Sequence, residues 1–290
     1  MPASLGPPGS VAIVRGRAEE LVGIPSASVP LIVTSPPYPM IPQWDAVFRS
    51  QGARDYDAMH ALLGRAWRAC RRVLADGGLL AIVIGDALRR TQDGFRLWPN
   101  HATVLERVAA LGLRPLPYVL WKKPTNKPNA FLGSGFLPPN AYVTLDCEYI
   151  LLFRRGEPRR LPPHDPARYA SRYTRPERDR WFSQVWDDIR GARQSDGDRR
   201  TGAFPPEIPA RLIRMFSVRG DVVLDPFAGT GTTVWEAARL GRRGIGVERD
   251  RALARRLAEE AARRGLTAPR AMAPGRRAAS GAGPARRSRR

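Results

Sequence analysis

The chain has 290 residues, 43% of them hydrophobic, enough for one large α/β domain with an insertion. With 48 Lys+Arg against 27 Asp+Glu it carries a formal net charge of +21, which points to a polyanionic partner, nucleic acid first. Two distant cysteines and three scattered histidines argue against a zinc cluster or a disulfide framework, and no apolar run reaches the ~20 residues that span a bilayer.

Met1–Ser10 is rich in Pro and Gly and reads as loose. It has neither the charged start nor the apolar core of a secretory leader, so a cytoplasmic protein is expected. Leu31–Thr34 is a β-branched run that stops at Ser35-Pro36-Pro37-Tyr38, which predicts a buried strand ending in a stiff loop. From Tyr56 to Leu74 apolar residues recur at helical spacing, and Asp76-Gly77-Gly78 is expected to end that helix. Leu79–Ile84 predicts a second buried strand, closed by Gly85-Asp86. A helix over Ala102–Leu111 and a strand over Tyr118–Trp121 follow. The Pro-, Gly- and Asn-rich stretch 122–145 reads as a loop, and Glu148–Phe153 as a strand.

Between Arg154 and Arg200 no apolar period is sustained; Arg, Asp, Pro and aromatics predominate. Regularity returns with a helix over Pro206–Phe216, a strand over Val222–Leu224, a helix over Thr232–Leu240, a strand over Gly244–Val247 and a helix over Ala252–Arg264. Past Gly265 only Ala, Gly, Pro and Arg abound, a composition unable to bury enough surface to fold. Thr267–Arg290 carries seven Arg and no acidic residue, and removing those charges from +21 leaves +14, so the folded body is basic too. The alternation predicts a mainly parallel sheet covered on both faces. The expected divisions are a loose N-terminus (1–10), two parts of one catalytic domain (11–153 and 201–265), an insert between them (154–200) and a disordered basic tail (266–290).

The most informative segment is Val222–Thr233. A buried strand runs into Asp225-Pro226-Phe227, then Gly229-Thr230-Gly231, then the first turn of a helix at Thr232. Glycines let the backbone turn tightly and approach a ligand, and the helix start offers free N–H groups to an anion. The next strand ends at Glu248, where a carboxylate can accept from both hydroxyls of a ribose. A dinucleotide site shares this layout, but its third glycine is missing and Asp225 would repel a pyrophosphate. A ligand with an ammonium, a carboxylate and a ribose fits all three features, and S-adenosyl-L-methionine has them.

In Ser35-Pro36-Pro37-Tyr38 two prolines fix φ twice and remove two N–H donors, so carbonyls are left to face a ligand. Methylation of an exocyclic amine needs such acceptors, because the nitrogen lone pair is delocalised into the ring until its N–H groups are held. Ser35 Oγ and the Pro36 carbonyl are the candidates, and Tyr38 supplies a face on which an extruded base can stack. No cysteine stands in this loop, in keeping with direct transfer without a covalent intermediate.

Together these two loops resemble the DNA amino-methyltransferases, with their [D/N/S]-P-P-[Y/W] and F-x-G-x-G motifs. The order, catalytic motif first, resembles the β group of that family. Leu79–Asp86, Leu120–Pro124, Glu148–Phe153, Val185–Asp187 and Phe204-Pro205 match further family segments in sequence, so the resemblance covers roughly Val11 to Arg264. It implies a doubly wound, seven-stranded, Rossmann-like methyltransferase sheet with permuted motif order and a target-recognition insert. It implies S-adenosyl-L-methionine as cofactor, with contacts at Thr34, Phe204, Pro205, Asp225, Pro226, Phe227, Gly229, Thr230, Gly231, Thr232 and Glu248. Catalysis falls to Ser35, Pro36, Pro37 and Tyr38. Serine at position 35 is typical of the cytosine-N4 members, so N4 of a flipped-out cytosine in double-stranded DNA is the expected target; adenine-N6 methylation, or a DNA-binding protein that has lost catalysis, stay open. A cognate restriction endonuclease is a further partner to consider, no membrane partner is expected, and the chain is read as a monomer or homodimer. The insert, with Tyr169, Tyr173, Trp181, Phe182 and Trp186 among its arginines, is the candidate for phosphate contact and base reading.

Overall fold

Strands that are apolar at every position bury both faces, and the computed structural model shows why the alternation of elements here demands it. Residues 6–92, 94–123, 139, 143–191 and 204–267 are described; most of the stretch 122–145, the end of the insert and the tail past 267 lie outside them. In chain order the elements are β1 (Val11–Arg15), β2 (Val29–Thr34), α1 (Asp45–Arg49), α2 (Tyr56–Val73), β3 (Leu74–Ile84), β4 (Ala87–Thr91), β5 (Gly94–Trp98), α3 (Asn100–Ala109) and β6 (Arg114–Lys122). Then come β7 (Cys147–Arg154), α4 (Pro166–Tyr169), α5 (Arg175–Trp181), β8 (Val185–Trp186), α6 (Glu207–Phe216), β9 (Val222–Asp225), α7 (Thr232–Arg239), β10 (Arg243–Glu248) and α8 (Arg251–Arg263).

One sheet runs in the order β1-β10-β9-β2-β3-β7-β6-β8, and β4 pairs with β5 in a separate hairpin. β7 is antiparallel to both neighbours, and the other pairings in the sheet are parallel. Side chains alternate to opposite faces: Ile32, Leu80, Ile82 and Ile84 pack with Met59, Trp67, Val104 and Val108 of α2 and α3. Leu31, Val33, Leu79, Ala81 and Val83 pack with Ile208, Leu212 and Ile213 of α6 and Ala237 of α7. The doubly wound arrangement is therefore present.

The sheet has eight strands where seven were expected. The additional strand, β8, holds two residues at the outer edge of β6, pairing Leu120 with Val185 and Trp121 with Trp186. It forms because Trp186 is 1% exposed, its indole N–H donating to Trp181 O at 3.0 Å, and Ile189 beside it is also buried. Part of the irregular insert thus belongs to the core, and Trp181 and Trp186 are core residues, whereas Tyr169 and Phe182 remain exposed. A second expectation also changes. Asp76-Gly77-Gly78 does not end α2, which stops at Val73; these residues form an excursion in β3, between the pairings of Val29 with Leu74 and Leu31 with Leu79. Gly77 has φ +74°, and a Cβ there would lie 2.5 Å from Arg159 N, so close passage of another chain segment requires the glycine.

β2 and β9 are parallel neighbours with Ile32 opposite Leu224. That register brings the ends of both strands, Thr34 and Asp225, to one edge of the sheet, although 191 residues of chain separate them. In parallel α/β sheets, ligands lie at this carboxyl edge.

Candidate active site

Thr34 Oγ1 donates to Asp225 Oδ1 at 2.7 Å, and Phe227 N donates to the same oxygen at 3.0 Å. The carboxylate is 3% exposed and no Lys or Arg pairs with it among the described residues. Burial, partly offset by these hydrogen bonds, pushes its pKa up to about 6. Gly229 and Gly231 then take positive φ, 53° and 83°, and Gly231 caps α7. A side chain at Gly231 would also collide with the Trp235 ring, whose Nε1 lies 2.7 Å from the ideal Cβ. Glu248, at the end of β10, accepts from Gly229 N at 2.9 Å and Asp250 N at 2.8 Å, and burial raises its pKa.

The Ser35 turn shares a cavity with this loop, lined by Ser35, Phe204, Asp225, Phe227, Ala228, Gly229, Thr230 and Thr232. Seven of the fifteen residues singled out in sequence line it: Ser35, Phe204, Asp225, Phe227, Gly229, Thr230 and Thr232. Thr34 reaches the cavity through Asp225, and Glu248 through Gly229, whereas Pro36, Pro37, Tyr38, Pro205, Pro226, Gly231 and Glu248 are not part of its lining.

The serine hydroxyl is committed as a donor. Ser35 Oγ–H points to Tyr38 OH at 3.1 Å, and Tyr38 OH donates to Glu148 Oε2 at 2.9 Å. Lys123 Nζ closes the chain on Glu148 Oε1. With its proton directed at Tyr38, Ser35 has only lone pairs to offer to a ligand. Burial, and next the Glu148 carboxylate, raise the Tyr38 phenol well above its usual range, so it stays neutral and serves as a hydrogen-bonding link, not a base. Glu148 and Lys123 were read only as segments of a resemblance; nothing in their local sequence announces this contact, which spans 110 residues between Tyr38 and Glu148. Gly85 makes room for it: a Cβ there would lie 3.1 Å from Tyr38 Cε2 and 3.2 Å from Glu148 Cγ.

Asn100, at the start of α3 and wholly buried, fixes the far side of the turn. Its Nδ2 donates to Pro39 O and Gly85 O, both at 2.9 Å, while Oδ1 meets His60 Nε2 at 3.1 Å. Burial lowers the His60 pKa to about 4, so the imidazole is neutral and can donate to that oxygen. Asn100→Ala is expected to leave two buried carbonyls without a donor and to cost about 1–3 kcal/mol of stability. A denaturant titration checks it, and an unchanged midpoint would show that the turn does not depend on Asn100.

The donor set fits a cationic, sulfonium-bearing nucleoside. Asp225 is a buried carboxylate without a counter-ion among the described residues, the glycine turn exposes backbone at a helix start, and Glu248 ends the adjacent strand. A Gly-rich loop at the carboxyl edge, set against a proline-stiffened acceptor turn, defines a Rossmann-like transferase that acts on an amine. Comparison with known proteins agrees. A family model described as DNA methylase, of the N6/N4 methyltransferases, matches residues 29–260. The Type II methyltransferase M.MjaI of Methanocaldococcus jannaschii is 52% identical over 266 residues, covering 83% of this chain and 88% of that protein. TTHA0409 of Thermus thermophilus, a candidate DNA modification methylase complexed with S-adenosyl-L-methionine, superposes with TM-score 0.68 at 39% identity, over 86% of this chain and 93% of that one. PvuII DNA methyltransferase (cytosine-N4-specific) shares the fold at TM-score 0.58 and 18% identity, over 87% of this chain and 88% of its own. The chain belongs to the N6/N4 family of S-adenosyl-L-methionine-dependent DNA methyltransferases. No described helix is long and apolar enough to cross a membrane.

Proposed function

We propose that this chain transfers a methyl group to the exocyclic N4 of cytosine within a specific site of double-stranded DNA. The observation that carries this reading is the Ser35 hydroxyl, held in the cavity beside Asp225 and Gly229 with its own proton turned towards Tyr38. S-adenosyl-L-methionine, when bound, supplies an already activated methyl group. Asp225 is positioned to take its ammonium, the N–H groups at the start of α7 its carboxylate, and Glu248 its ribose hydroxyls. Thr34, by holding Asp225 in place, and Phe204, on the cavity wall, keep that pocket in shape.

On the substrate side, Ser35 Oγ accepts from one amine N–H and the Pro36 carbonyl from the other. Those two bonds draw the nitrogen towards tetrahedral geometry and free its lone pair. Tyr38 offers its ring to the flipped base, whose extrusion costs a few kcal/mol, and stacking returns roughly 1–3 kcal/mol. The rest is alignment, which is where an enzyme acting on an activated donor has most to contribute. Serine at position 35, typical of the cytosine-N4 members of the family, is the feature that favours cytosine N4 over adenine N6.

M.MjaI is a Type II methyltransferase, and a relative this similar supports a role beside a cognate restriction endonuclease. DNA contact is assigned to the 154–200 insert, where Phe182 is half exposed among arginines. Mass spectrometry of nucleosides from DNA incubated with the protein and cofactor tests the target. N4-methylcytosine is expected; N6-methyladenine alone would transfer the assignment to the other branch of the family, and no methylated base would overturn it.

A further inference from the structure

A cleft of about 690 Å³ lies at the opposite edge of the sheet from Ser35. Pro30 of β2 and Leu79 of β3 line it, whereas Thr34 ends β2 at the active site. Ser35 lies five positions beyond Pro30 along the strand direction, about 17 Å of rise. The outer wall is the chain from Pro158 to Tyr173, and it is anchored. Gly77 N donates to Arg155 O at 2.7 Å, Arg155 N to Gly78 O at 3.0 Å, and the segment presses on Gly77 so closely that only glycine fits.

Five arginines line the cleft, and two are neutralised. Arg159 Nη1 donates to both Asp221 oxygens at 2.8 Å, and Arg214 pairs with Glu177. Arg154, Arg168 and Arg172 have no carboxylate partner among the described residues. Arg154 Nε is moreover buried with no hydrogen-bond partner among the described residues, an unmet donor that native interiors rarely keep. Three guanidinium groups without a carboxylate partner among the described residues favour an anion in the cleft. The cleft also holds aromatic faces: Tyr173, and Tyr169, which is 52% exposed with the Arg172 guanidinium 5.4 Å from its ring centre. The volume falls in the range of small-ligand sites.

We propose that this cleft is a second binding site, separate from methyl transfer, for a nucleotide 5′-phosphate. The phosphate rests on Arg154, Arg168 and Arg172, and the base lies against Tyr169. The phosphate comes from a free nucleotide or from the 5′ end of a DNA strand, two sources of the same chemistry. The site is distinct from the cavity at Ser35 and the glycine loop, with which it shares no lining residue.

Thymidine 5′-monophosphate is the probe, because thymine has no exocyclic amine for Ser35 to hold. Calorimetric titration of the full chain is expected to show saturable binding. Thymidine lacking the phosphate should bind roughly tenfold more weakly or worse, as should the nucleotide to the Arg168→Ala, Arg172→Ala double variant. Both side chains are exposed, so the double variant should melt like the wild type. Lysine at both positions should restore part of the affinity, and Tyr38→Ala should bind as the wild type does. A 5′-phosphorylated oligothymidylate that displaces the nucleotide where its unphosphorylated form does not would assign the site to a DNA end. Failure of both to displace it would assign a free nucleotide. Absence of saturable binding at millimolar nucleotide, equal binding by the double alanine variant, or loss of binding in Tyr38→Ala would each overturn the proposal.

Discussion

Asp225→Asn is expected to raise the melting temperature of the free protein and, in the same variant, to weaken S-adenosyl-L-methionine binding about 30-fold or more. Asparagine keeps the oxygen that accepts from Thr34 and Phe227 but removes a buried charge that no Lys or Arg among the described residues neutralises. The pKa rise from 3.8 to about 6 sets the scale. Two pKa units at about 1.36 kcal/mol each give an upper limit of about 3 kcal/mol destabilisation at neutral pH. A carboxyl whose folded pKa is raised favours the fold in its protonated form, so its contribution is present below about pH 4 and is lost as pH climbs to about 6. Cofactor affinity runs the other way, rising through pH 6 as Asp225 ionises. Burial raises Glu248 as well, so the informative quantity is the difference between wild type and variant across pH 5 to 8, where only Asp225 differs. Equal affinities at pH 7.5 would mean that the ammonium is held elsewhere.

The second large effect is on turnover. Tyr38→Ala removes the stacking face and the acceptor of the Ser35 proton together, and kcat should fall about 10- to 100-fold while cofactor affinity is kept. Glu148→Gln separates the two roles. Lys123 requires an acceptor, so it claims the new amide oxygen and leaves the amide NH2 facing Tyr38. Tyr38 OH must then accept from that NH2 and donate to Ser35, whose own proton is turned onto the substrate amine. The acceptor becomes a donor without loss of a single heavy atom. A drop in kcat of about tenfold is expected, of the size of one misdirected hydrogen bond, with KM for the cofactor unchanged. Tyr38→Phe, which keeps the ring, should match Glu148→Gln more closely than Tyr38→Ala. If Glu148→Gln turns over like the wild type, the chain from Ser35 to Glu148 only packs the turn.

The elements that sequence located well share one property: their pattern is local. β2, β9, α6, α7, β10 and α8 each differ from expectation by no more than two residues at an end, because apolar period and turn residues are written within the segment. β1 and the β4–β5 hairpin were missed, being short and half exposed, with weak alternation. Asp76-Gly77-Gly78 misled because glycine satisfies two unrelated demands, a helix end and a close chain passage, and only the passing segment at Arg159 tells which applies. Trp186 could be contact or core, and Trp181 a contact, until α6 and β6 were in place around them; both are core.

The two loops, Thr34 to Tyr38 and Asp225 to Glu248, could be located from the sequence alone, since each motif's strand, turn and helix start lie consecutively in the chain. The family follows from those same motifs. Pairing them was left to the β2–β9 register, which places Thr34 against Asp225 across 191 positions. The direction of the Ser35 proton was decided further away still, by Glu148 and Lys123 on the β6–β7 side and by the space left at Gly85. A hydrogen bond has a direction only once both partners and their other partners are placed, and a linear order of residues holds no such information for groups that meet only when the sheet closes.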